Sequence, residues 1–139
     1  MAREHLERAR RALELKDYPA CVGSSQLCAE NAAKAVIAIY RIPSWSHDPS
    51  EELRQVIEEH QIEIESRIGE PVIRLFRLAE IAEILAPEHG RASYGEPIER
   101  RPPRAIYNED KAINALNKAD EAFKIADKAI SRLTISPIS

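Results

Sequence analysis

The chain has 139 residues, 44% of them apolar and 31% charged, with a formal net charge of -3. That length predicts one domain able to bury a real core, and the negative balance argues against a general polyanion binder while leaving room for a local basic patch. No apolar run approaches the roughly 20 residues that cross a bilayer, and the charged start MAREHLERAR is unlike a secretory signal, so no membrane contact and a cytoplasmic location are expected.

Only four glycines occur, while Ala, Glu, Leu, Ile and Arg are plentiful, which favours an all-α chain. Residues 2–16 place Leu6, Ala9 and Leu13 on one face of an amphipathic first helix. Asp17 then offers an N-cap, with Pro19 just inside the next helix, which runs over 18–41. Its apolar face is Val22, Ala29, Ala33, Val36, Ile37 and Tyr40, and the neighbouring Gly23, Ser24 and Ser25 let another element approach closely. Pro43 ends this helix, because the residue before a proline is steered away from α geometry.

Residues 42–48 read as a loop, with Trp45 as a plug over the bundle end and Asp48 as the cap of a third helix, 49–67. The short alternation Gln61-Ile62-Glu63-Ile64 is assigned to that helix. Gly69 stops it, and a fourth helix over 70–86 is so apolar, with only Arg74, Arg77, Glu80 and Glu83 as a polar strip, that it reads as the central rod. Residues 87–107 carry four prolines and read as a long loop. Asn108 caps a last helix, 108–133, whose Ala112, Ala115, Ala119, Ala122, Ala126 and Ala129 form a seam for close packing, within the bundle or across a dimer. The expected fold is an all-α, antiparallel up-and-down bundle of about five helices in one domain, 1–139, with a fraying tail over 134–139. Burying both the fourth helix and the alanine seam exceeds what one small bundle offers, so a homodimer is expected.

Chemistry is sparse. His5, His47, His60 and His89 fall on different elements without metal-ligand spacing, and Cys21 and Cys28 lie two helical turns, about 10 Å, apart. No disulfide, metal or cofactor is therefore expected. Glu30 and Lys34 form an i, i+4 pair that serves either as surface stabilisation or to aim Lys34 into a groove. Arg91, Tyr94, Arg100, Arg101 and Arg104 gather guanidinium forks and a stacking ring in the proline loop, diluted by Glu96 and Glu99.

Two segments carry a resemblance. LKDYPACVGSSQLCAENAAKAVIAIYRIPSWSHD, residues 15–48, opens a helix after Asp-Tyr and ends in His-Asp. RASYGEP, followed by RPPRAIYNEDKAINALNKADEAF up to residue 123, gives a Tyr-Gly-Glu turn, a proline loop and an acidic opening of the final helix. In this order they resemble the HEPN family of small helical-bundle proteins. The resemblance implies a dimeric bundle, often paired with a minimal nucleotidyltransferase in a toxin–antitoxin system. Many members are metal-independent ribonucleases with an R-x(4–6)-H motif near a late helix.

Here that motif occurs only early, as Arg41-x5-His47 and Arg54-x5-His60, spacings that the arginine content produces by chance; the last helix has no histidine. The favoured reading is a non-catalytic module, partner of a nucleotidyltransferase, that binds nucleotide or RNA through Lys34, His47, Arg91, Tyr94, Arg101 and Arg104. The alternative is a ribonuclease toxin in which His47 supplies acid–base chemistry and Arg41 the cation. The blander role for His47 is to bond backbone at the start of the third helix, and for His60 an exposed helix position.

Overall fold

The computed structural model describes residues 1–95 and 100–134, and among these it is helical throughout its regular structure. Eight helical segments follow in order: α1 (Ala2–Glu14), α2 (Tyr18–Ile37), α3 (Ser50–Glu59), α4 (Gln61–Ile68), α5 (Ile73–Leu85), α6 (Glu88–Tyr94), the single turn α7 (Pro103–Ile106) and α8 (Glu109–Leu133). Two caps form as their residue types dictate. Asp17 accepts from the Ala20 amide and Asn108 from the Lys111 amide. Asp48 accepts from the Ser50 amide, so it serves the start of α3 from one position further out than expected.

Three expectations need correction. The third predicted helix is two, broken at His60, whose backbone leaves α geometry while its ring stacks on Tyr40 at 4.2 Å. The 87–107 stretch is not one loop, since α6 and α7 lie within it. The rod at the centre is α2, not α5. Small residues along α2 let α1, α3, α5, α6 and α8 all pack against it, and Cys21, Ala29, Ala33, Val36 and Ile37 are fully buried. By contrast α5 leaves Ile73 and Ile84 exposed, and its Arg77 makes a two-pronged bond to Glu121 of α8.

The direction of the helices follows from the contacts. Cys21 Sγ donates to the Ala112 carbonyl and Cys28 Sγ to that of Ala119, each at 3.7 Å. Both partners advance by seven residues, so α2 and α8 run parallel, in register over two turns. The bonds Arg10–Asp120 and the Arg3 guanidinium over Phe123 set α1 antiparallel to α8. Arg77–Glu121 and Glu70–Lys128 do the same for the α5 side. A purely antiparallel arrangement therefore does not describe the α2–α8 pair.

All six seam alanines of α8 are buried within the single chain. The packing argument for a dimer loses its footing there. Trp45, expected as a plug, is 96% exposed. Residues 135–139, most of the expected fraying tail, lie outside the described residues, as do Glu96 and Glu99.

Candidate functional site

Two elements converge on one face of α2. Gln26, Glu30 and Lys34 recur every four residues and so share that face. The 42–48 loop brings His47 to it, and α6 brings His89. This α6 approach depends on Gly23, where an added Cβ would sit 3.3 Å from the Ala92 side chain. The small residues beside the apolar face of α2 thus do what the sequence predicts. At the far end of α6 the chain turns through Gly95 (φ +77°), where a side chain would run into the Arg101 carbonyl, so only glycine fits. Tyr107 pins α6 from beneath by donating its hydroxyl to Glu88; burial and that carboxylate push its pKa up.

Glu30 is the hub. Its buried carboxylate accepts from Gln26 Nε2 at 3.0 Å, from Lys34 Nζ at 3.2 Å and from His47 Nδ1 at 3.1 Å. Gln26 Oε1 lies 3.1 Å from His89 Nδ1. The imidazoles of His47 and His89 stack with centroids 3.6 Å apart. Proton positions follow from donor and acceptor chemistry. A carboxylate only accepts, so the Gln26 amide nitrogen must face Glu30 and its oxygen must face His89. That oxygen also only accepts, so His89 carries its proton on Nδ1, and His47 likewise donates from Nδ1 to Glu30. Both rings keep a bare Nε2 when neutral.

A groove of about 310 Å³ runs beside this cluster between α2 and α6, lined by Ser24, Gln26, Leu27, His89, Ser93 and Tyr94 among others. The Tyr94 ring is 83% exposed at its edge. Of the predicted binding residues, Tyr94 lines the groove, while Lys34 and His47 belong to the adjoining Glu30 cluster. Arg91, also on α6, pairs with Glu88 at 3.6 Å, Arg101 donates to the Ala105 carbonyl, and Arg104 is exposed on α7. The Arg41/His47 pair does not assemble as a unit: Arg41 turns to Gln55 on α3, while His47 turns to Glu30. His47 therefore bonds a side chain on α2 rather than the backbone at the start of α3.

Sequence reasoning missed Gln26 and His89. It also kept the histidines apart, which holds for His5 and His60 but not for the other two. The Gln26–Glu30–Lys34 spacing was visible in the sequence. His89, 63 positions from Gln26, has no local signal.

These features define a small all-α bundle whose polar centre is a His–His–Glu cluster beside a narrow groove. The HEPN domain family model matches residues 1–130, and the chain belongs to that family. Neither a curated protein nor a solved structure matches it. None of its described helices is long and apolar enough to cross a membrane.

Proposed function

We propose that this HEPN domain is a non-catalytic module that holds a nucleotide or a short single-stranded RNA segment in the α2–α6 groove. It acts as a homodimer in the cytoplasm beside a minimal nucleotidyltransferase, in a toxin–antitoxin-type pair. The observation that carries the binding half is the groove itself, with the exposed Tyr94 ring at its edge and the hydroxyls of Ser24 and Ser93 along it. An exposed ring beside polar groups suits an unstacked base. Lys34 and the exposed Arg104 are the cations nearest in role to phosphate, and weak binding of this kind falls with added salt.

A second reading is favoured by one observation, the His47–His89 stack. Two imidazoles and Lys34 in one place are the groups that acid–base cleavage of RNA requires. In that reading His89, rather than Arg41, is the partner of His47.

One experiment separates the two. Purified protein is titrated with adenosine and uridine nucleotides and with a short labelled single-stranded RNA, and the RNA is then examined for cleavage. Saturable binding that weakens about tenfold or more in Tyr94→Ala, with the RNA intact, supports the module, since base stacking contributes about 1–3 kcal/mol per base. Binding indifferent to Tyr94→Ala removes the groove from the account. Cleavage abolished by His47→Ala or His89→Ala establishes the ribonuclease.

A further inference from the structure

Glu30, His47 and His89 each bring one potential ligating atom to within 4.8 Å of the other two. We propose that these three residues form a binding site for a divalent first-row transition ion of the zinc class.

The donor set points to that class. Two imidazoles and one carboxylate match the borderline-soft preference of zinc, cobalt(II) and nickel(II), whereas calcium and magnesium prefer oxygen alone. Tetrahedral zinc, with ligands at 2.0–2.1 Å, sets its donor atoms about 3.3 Å apart. One edge of that figure already exists, because His47 Nδ1 and Glu30 Oε1 are 3.1 Å apart. The other separations, all within 4.8 Å, have to shrink by at most about 1.5 Å.

The surroundings allow that movement on one side and resist it on the other. Glu30 is fixed by Gln26 and Lys34, and Gln26 also holds the His89 proton. Metal sites use this kind of outer hydrogen bonding to orient their ligands. His47 is the movable member: its side chain is 57% exposed, on a loop that leaves Trp45 and Ile42 in solvent. Cofacial rings cannot both aim a lone pair at one ion, so binding opens the His47–His89 stack. On binding, the ion takes the place of the proton between His47 and Glu30, and His47 Nε2 takes up a proton in exchange, so that the ring ligates through Nδ1 as neutral imidazole. Three protein ligands leave a coordination position open toward the solvent side.

The site shares His89 with the groove but does not rest on the groove reading, because its test contains no nucleotide. The full-length protein is titrated with cobalt(II), followed by its visible absorption, and with zinc by calorimetry in a non-chelating buffer. One ion per chain is expected, with tetrahedral-type cobalt bands free of thiolate charge-transfer, since both cysteines are buried in the core. His47→Ala and His89→Ala should each weaken binding at least about tenfold, with the circular dichroism spectrum intact. His60→Ala, on the far side of α3 from the cluster in sequence and paired with Glu63, should leave it unchanged. Histidine side-chain NMR should show the His47 and His89 ring resonances shifting together on zinc addition. Absence of saturable binding, or binding that survives His47→Ala and His89→Ala together, overturns the proposal.

Discussion

Glu30→Leu should destabilise the protein in a way that a second substitution repairs. The carboxylate accepts three hydrogen bonds, but their donors differ in what they lose. Lys34 and His47 reach solvent and can exchange Glu30 for water, so they add little. The Gln26 amide is 1% exposed and cannot. Stranding a buried donor costs about 1–3 kcal/mol, and we place the loss near the middle, at about 2 kcal/mol. For a chain of this size that corresponds to a fall in Tm of about 8 °C. Removing the donor as well, in Gln26→Leu/Glu30→Leu, leaves only the half-buried His89 Nδ1 to re-pair with water and should return the protein to within about 1 kcal/mol of its parent. Urea unfolding followed by far-UV circular dichroism measures both, with the midpoint read at constant slope. A double variant as unstable as the sum of the singles would refute the reasoning, because stranded desolvation could not then be the cause.

Acid should destabilise the protein through His5 before it reaches the carboxylates. Burial, with Arg8 and the N-terminal amine, holds the His5 pKa below 6.5 despite Glu4 and Glu30, so the unfolded chain takes up the proton first. That contribution is complete above pH 6.5 and is lost as the pH falls through the folded value; His5→Leu should flatten the stability profile as the pH falls below 6.5, and an unchanged slope would count against it. Cys21 and Cys28 should resist alkylation in the native protein at about pH 8 and react in denaturant, as burial pushes the Cys28 thiol up to about 12. Rapid native labelling of either thiol would contradict the α2–α8 packing.

Helix identity was legible wherever a residue's role is local. Asp17 and Asn108 cap as their side chains require, and Gly69 takes the left-handed turn that ends α4. Centrality was not legible, because hydropathy ranks Leu and Ile above Ala and Cys. The apolar α5 therefore looked like the core, while the small-residue α2 is the helix that neighbours can approach on every side. The break at His60 escaped for a related reason: Gln61-Ile62-Glu63-Ile64 continues to read as helix, and nothing local announces one displaced turn. Within the site, Lys34 and His47 were found from sequence. Their hub Glu30 appeared as the partner of Lys34, in a surface pair or one that aims Lys34 into a groove, and not as a buried centre, since the loop and the helix that bring His47 and His89 to it lie further along the chain. Arginine count in the 91–104 stretch was a poor guide to availability, as Arg91 and Arg101 bond to their own neighbourhood.

The parallel register of α2 with α8 also has a consequence for how the protein is made. Its two thiol–carbonyl bonds join residues 91 positions apart, so one face of α2 emerges long before the helix that covers it. At synthesis rates of about 5–20 residues per second, the delay is roughly 5–20 s. During that interval Cys21 and Cys28 have no α8 to cover them. The nascent chain then carries α1 and, as they emerge, α3, α5 and α6 on α2, with the α8 side of α2 still open. Closing that side depends on completion of the last helix. A message truncated before Ala119 therefore yields a chain that leaves the Cys28 face of α2 uncovered.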